Sequence, residues 1–387
     1  MRGIYSLITA ILLGTLVLQA QEQPTDTIAE QTSRPFYSRG IIGKIKTYFD
    51  NTNKPKPTKK FDFSVIGGPH YSSDTKLGIG LVAAGLYRHN ISDTITPMSD
   101  VSAYGDITTT GYYKLGIRGH HFFPEDKWRI EYNVYFESHP DKFWGIGYDN
   151  GNNSANETDY KRWQSRFVAS LTRRIIPHLY IGPQIQVEYI NGRNVTDRTL
   201  WQNMARHTFT DGAGVVAVYD TRDNVINAYR GVYMRLDQMF YPKFTGNRYA
   251  FSLTELTLSH YRGIWKGGIL AMQFHTRLTY GNTPWGLMSK MGGSSNMRGY
   301  YEGRYNDKCL MDATVELRQH VWRRNGVVAW AGAGQVFKKF SDIQARHTLP
   351  NYGIGYRWEF KTRVNVRLDV GFGKHQAGFM FNINEAF

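Results

Sequence analysis

From Phe61 onward the chain alternates apolar and polar residues with a period of two, in long stretches separated by turns. In Val364–Phe372, the residues Val364, Val366, Leu368, Val370 and Phe372 share one face and Asn365, Arg367, Asp369 and Gly371 the other. Met311–His320 repeats the pattern, with Asp312, Thr314, Glu316, Arg318 and His320 on its polar side, and so does Leu270–Tyr280. After residue 20 there is no apolar run of the ~18 residues that a membrane-crossing helix requires. The chain therefore folds as β-sheet, as a soluble sandwich or a closed barrel. In a sandwich the polar face looks out to water; in a membrane barrel it looks in to a wet lumen.

Three features favour a transmembrane antiparallel β-barrel. The strands are long, aromatic residues cluster near their ends, and the chain finishes within an alternating stretch, Gly378 to Phe387, which can close on the first strand and remove the sheet edge. The alternation predicts about sixteen strands, over 61–71, 77–90, 100–108, 110–121, 128–137, 158–175, 178–192, 206–221, 228–240, 247–260, 267–280, 309–322, 326–337, 351–360, 363–372 and 377–387, an even number as such barrels require. The connections sort into short turns on one side (323–325, 361–362) and long loops on the other (138–157, 281–308, 338–350), again as a barrel requires.

The chain ahead of the barrel reads differently. Met1–Ala20 has a basic start, an apolar run from Ile4 to Leu18 and a small residue at Ala20, the pattern of a secretory signal peptide. Residues 21–60 form a tail and linker, with a possible short amphipathic helix over Gly40–Phe49 and a Lys/Pro segment after it; a disordered leader fits that composition equally well. The barrel then occupies 61–387. The net charge of +15 points to anionic partners. For an exported chain these are outer-membrane lipid and lipopolysaccharide, not nucleic acid. The single cysteine, Cys309, excludes an internal disulfide framework and a Cys-cluster metal site.

The longest loop contains Met297-Arg298-Gly299-Tyr300 within a Gly/Ser-rich stretch. Physically, such a loop can fold back into the lumen, with Gly299 allowing a tight backbone and Arg298 seeking a carboxylate. Inward-facing Glu316 is the best partner, with Asp312 and Asp369 behind it. The competing reading is a solvated arginine in a flexible loop.

The sequence resembles the BamA/TamA superfamily of outer-membrane barrels, the bacterial surface-antigen family. Met297-Arg298-Gly299-Tyr300 is similar to that family's Val-Arg-Gly-Phe/Tyr motif in the sixth external loop. Asp220-Thr221-Arg222-Asp223-Asn224 with Gly231 is similar to its Asp-x-Arg-Asp-Asn…Pro-x-x-Gly turn. Phe143-Trp144-Gly145-Ile146-Gly147, Glu316-Leu317-Arg318 and the terminal Phe387 follow in the family's order. Two departures stand out. Ala228 replaces the usual Pro, and Gly332 falls where many members carry an Asp as second partner of the motif arginine, which leaves Glu316 more important. The resemblance implies a barrel in a Gram-negative outer membrane, here without the POTRA domains that many relatives place before it, because residues 21–60 are too few for one.

No Gly-x-Ser-x-Gly elbow, nucleotide loop or paired histidine site is present. His120 and His121 are adjacent on a strand and point to opposite faces, so they do not form a metal pair. The expectation is a non-enzyme with no cofactor and no metal. By resemblance its function is outer-membrane protein biogenesis, as insertion, translocation or accessory factor, through a weak seam between first and last strands marked by Gly67, Gly68, Pro69, Ile383 and Phe387. Its partners are then client outer-membrane proteins or accessory subunits. The alternative is a passive pore, or a structural barrel binding envelope partners or lipopolysaccharide.

Overall fold

The structure, a computed structural model, describes residues 61–88, 96–195, 199–202 and 204–387. The expected signal peptide and the 21–60 tail lie outside the described residues. The strands are β1 (Phe61–Ser72), β2 (Lys76–Tyr87), β3 (Ser99–Thr108), β4 (Tyr113–Phe122), β5 (Trp128–Phe143), β6 (Thr158–Ile176), β7 (Leu179–Arg193) and β8 (His207–Asp220). They continue as β9 (Gly231–Tyr241), β10 (Phe251–Trp265), β11 (Gly268–Gly281), β12 (Cys309–Trp322), β13 (Asn325–Phe337), β14 (Leu349–Lys361), β15 (Val364–Gly373) and β16 (Gln376–Ile383). Each strand pairs antiparallel with its neighbours in sequence, and β16 meets β1, so the sheet is a closed barrel.

Burial settles the choice between sandwich and barrel. Leu115 is 67% exposed and Ile354 66%, while Gln186 is 1% exposed and Glu316 0%. Apolar side chains cover the outside and polar ones fill the inside, the inverse of a soluble protein and what lipid outside a hydrated lumen demands.

The strand boundaries follow the alternation closely, and β5 is an instructive exception. β5 was expected to stop at residue 137, yet its ladder with β6 runs on to Phe143–Thr158, carrying Pro140 opposite Lys161. A proline is tolerated there because it lacks only one ladder donor. The extension lifts β5 and β6 as a wall above the rim, against which the loop between β11 and β12 packs. That loop, 282–308 (here L6), turns inward and forms a miniature ladder of its own, Ser289–Asp307 and Lys290–Asn306. A short helix, α1 (Tyr148–Asn152), caps the β5–β6 connection.

Candidate functional site

L6 enters the lumen through one close backbone approach. Gly299 has φ +108, and a Cβ there would lie 2.6 Å from the carbonyl carbon of Gly371 on β15. Both the left-handed conformation and the contact demand glycine. This places Arg298 at 1% exposure against the inner wall. Its Nη1 donates to Asp369 Oδ2 at 2.8 Å and its Nη2 donates to Glu316 Oε2. The guanidinium lies 3.7 Å from the centroid of the Trp330 ring. Asn351 Nδ2 donates to the Arg298 main-chain oxygen and its Oδ1 accepts from Trp330 Nε1 at 3.1 Å, so one amide fixes both faces of the sandwich.

The neighbouring motif residues hold the loop from either side. Met297 is buried with Met291, Tyr305, Leu310, Val336 and Leu349. Tyr300 OH donates to Pro350 O at 2.7 Å and accepts from Lys374 N at 2.7 Å, tying L6 to the last two hairpins. Further up the loop, Asn306 Nδ2 donates to Gly145 O at 3.0 Å, and Gly147 N donates to Asn306 O at 2.8 Å. The Phe143–Gly147 stretch thus braces the base of L6.

Of the three expected partners of Arg298, Glu316 and Asp369 are reached and Asp312 is not. Asp312 accepts instead from His275 Nδ1 at 2.9 Å. It lies four residues along β12 from Glu316, about 13 Å at strand rise, beyond the reach of a guanidinium centred between Glu316 and Asp369. Asp369 on β15 is the second carboxylate bound to Arg298.

The Arg298 site is one arc of a larger ring. Glu316 Oε1 accepts from Arg318 Nε at 2.7 Å. Arg318 Nε approaches Glu385 Oε2 at 4.0 Å. Glu385 Oε2 accepts from Arg357 Nε at 2.8 Å, and Arg357 Nη1 donates to Asp369 Oδ1 at 2.6 Å. Asp369 returns to Arg298. Six side chains of alternating sign therefore close a circuit, and each is at most 6% exposed. Buried charges persist only when paired in this way.

Glu385, Arg357, Trp330 and Asn351 were not singled out from the sequence. For Arg357 an available signal was its place on an inward-facing row; for Glu385 it was its place as the one charge in an otherwise apolar row. The alternation predicts a strand to Phe387, yet β16 ends at Ile383. Asn384 takes φ +71, and the chain turns into the lumen. There Ala386 is buried, and the Phe387 ring faces Tyr261 with centroids 6.4 Å apart. The Phe387 oxygen accepts from Arg318 Nη2 at 2.7 Å. The turn places the Glu385 carboxylate beside Arg357 and Arg318.

The seam is short. β16 pairs with β1 only at Tyr71–Phe381 and Ser72–Met380, with Ser73 N donating to Phe379 O at 3.1 Å just beyond. Gly67, Gly68 and Pro69 are fully laddered to β2, opposite Leu81, Gly80 and Ile79, and Ile383 pairs with Val366 of β15. The five residues expected to mark the seam are thus not in mutual contact across it. The ladder of β1 to β2 is intact at the glycines, and the pairing to β16 stops at Phe381, two residues before the inward turn.

The turn motif closes the β8–β9 connection. Arg222 forks onto Asp220 through Nε at 3.0 Å and Nη2 at 2.8 Å. Asn224 Oδ1 accepts from Ile226 N and Asn227 N, both at 2.9 Å. Burial pushes the Asp223 carboxyl up, but the N–H groups of Tyr229 and Arg230 and the Arg363 guanidinium outweigh this and hold it below the usual carboxylate range. Gly231 has φ +111, and a Cβ there would collide with Thr221. Ala228 packs on Tyr261 and Ala271, beside Phe387.

His120 pairs with Asp100 at 2.8 Å. Among the described residues no group of His, Cys, Asp and Glu is placed to hold a metal ion.

Comparison with known proteins matches the Omp85 superfamily domain over residues 104–387. A search of curated proteins finds no match. Among solved structures, the barrel is similar to BamA from Haemophilus ducreyi lacking POTRA domains 1–3, with a TM-score of 0.58 at 12% identity. That match covers 84% of this chain and 70% of the other. It is also similar to CdiB from Escherichia coli, at TM-score 0.57 and 10% identity, over 85% of this chain and 64% of that one. CdiB from Acinetobacter baumannii gives TM-score 0.54 at 12% identity, over 85% and 60%. At these identities the likeness carries the fold, and the family match carries the membership. The chain belongs to the Omp85 superfamily and is an outer-membrane β-barrel of a Gram-negative bacterium.

Proposed function

We propose that the barrel acts in outer-membrane protein biogenesis, offering the free edge of β1 as a template for an incoming strand while L6 braces the lumen. The observation that supports this is the contrast within one sheet. β16 is laddered to β15 along its whole length but to β1 at two residue pairs. Most of β1, from Phe61 to His70, therefore presents backbone donors and acceptors with no strand on that side among the described residues. An unpaired edge is a template for β-augmentation. A barrel that parts here must keep its shape, and the Arg298 site pins L6 to β12 and β15. This reading requires no nucleotide, cofactor or metal.

The test is photocrosslinking in living cells, with a photoreactive residue at Val65 in β1 and, separately, at Ile383 in β16. The expected result is adducts with newly made outer-membrane proteins. Adducts with one fixed partner would replace client handling by an accessory role, and absence of adducts at both positions would overturn the proposal.

A further inference from the structure

The segment after β16 has two places to go. The register of the seam, Tyr71–Phe381 and Ser72–Met380, continues on paper as His70–Asn382, Pro69–Ile383, Gly68–Asn384, Gly67–Glu385 and, two residues on, Val65–Phe387. An extended 382–387 would therefore zip the seam down to Val65. The sequence is suited to it, because the outward row of β16 reads Ala377, Phe379, Phe381, Ile383, then Glu385, then Phe387. Every member is apolar except Glu385. In the extended form that carboxylate would face out toward lipid or its interface, where a charge is disfavoured. In the structure it sits inside instead, accepting from Arg357 Nε at 2.8 Å and from Asn365 Nδ2 at 2.6 Å.

We propose that Glu385 is a latch: it holds residues 384–387 in the lumen, and its release lets that segment pair with the free edge of β1 and close the seam. The occupant of the β1 edge is thus this chain's own segment, competing with any incoming strand. The latch is releasable because its hold is partial: Arg318 Nε stands 4.0 Å from Glu385 Oε2, beyond hydrogen-bond distance, which leaves Arg357 and Asn365 as the side chains that donate to it. The destination is sterically open, since a Cβ on Gly68 would meet nothing within 4 Å. The proposal rests on register and side-chain pattern, and stands or falls independently of whether clients are handled.

The test is a disulfide trap in the full-length barrel, with Gly68→Cys and Asn384→Cys in a Cys309→Ser background, under a mild oxidant in detergent or native membrane. With Glu385 present, trapping is slow. Glu385→Leu, which completes the apolar row and removes the latch, should speed it by at least about tenfold, the scale of losing a charge-assisted hydrogen bond. Glu385→Gln should fall between, and Glu385→Asp should stay near the parent. Equal rates across the series would overturn the proposal. Heat-modifiable gel mobility reports whether each variant is a folded barrel. If Glu385→Leu does not fold, Asn365→Ala removes one donor to the latch with every ring charge intact. A several-fold faster trap would then support the latch, and an unchanged rate would overturn it.

Discussion

β16 has two neighbours and treats them differently. Toward β15 every residue from Gln376 to Ile383 is paired; toward β1 only Phe381 and Met380 are. The same strand makes a full ladder and a vestigial one, so its composition cannot be the cause. Its trajectory is. After Ile383 the chain follows Glu385 into the lumen, where buried arginines compensate the charge. The ladder to β15 is complete before that turn, whereas most of the residues that would extend the ladder to β1, from Asn384 on, lie beyond it. A buried ion pair thus decides how much of the barrel closes by hydrogen bonds. Buried pairs of this kind add little net stability over well-packed apolar residues, so selecting between two courses of the chain is the role left to this one.

The largest expected effect is the contrast itself. Hydrogen exchange on the folded barrel should show β15 and the β15-facing amides of β16 among the most protected. The β1 amides between Phe61 and His70 that face away from β2 should exchange near the rate of open segments. Protection of those amides equal to that of β15 would mean that the seam is closed in solution.

Next comes the brace. Arg298→Ala leaves Glu316 and Asp369 buried with one partner fewer each, and loss of one member of a buried pair costs about 3–5 kcal/mol. The thermal transition in detergent should fall, and L6 should become protease-sensitive in intact cells. Arg298→Lys should recover only part of this, because a single ammonium cannot bridge two carboxylates and stack on Trp330 as the planar fork does. An unchanged cleavage pattern in both variants would show that the loop is held by its Met297 and Tyr300 contacts alone. Gly299→Ala attacks the same brace through the backbone. The φ of +108 and the close contact with Gly371 make any side chain strained there, by about 1–3 kcal/mol. Its effect should resemble a milder Arg298→Ala.

Much of this was legible in the sequence, for physical reasons that differ by element. The period-two rows specified sixteen strands because a one-residue slip would put every lumenal charge into lipid. Arg298 and Glu316 could be paired because a conspicuous arginine in a glycine-rich loop and an inward-facing glutamate each need what the other offers. The extent of β5 could not be read, because Pro140 argues against a strand that the neighbouring β6 nonetheless supports. Asp312 and Asp369 looked equivalent on alternation alone; only the depth to which L6 descends separates them. Glu385 was hidden by an otherwise apolar row, where the alternation favours an extended strand and three-dimensional charge compensation overrides it.

The smallest effect lies at the other end of the seam. Asp74, in the β1–β2 turn, accepts from the Glu302 main-chain N–H of L6 at 3.3 Å. Burial pushes its carboxyl up to about 6, against the opposing pull of that N–H. A raised carboxylate pKa means that the folded protein binds the proton more tightly than the unfolded chain. Its contribution is therefore fully present in acid, declines as pH rises through about 6, and stays flat above. L6 beside the β1 turn should accordingly be slightly more protected from exchange at pH 5 than at pH 8, and Asp74→Asn should flatten that dependence. A slope that survives in Asp74→Asn would place the titrating group elsewhere along the seam. A flat profile in the parent protein would mean that the seam differs from the β15–β16 ladder in hydrogen bonding alone, and not also in its response to pH.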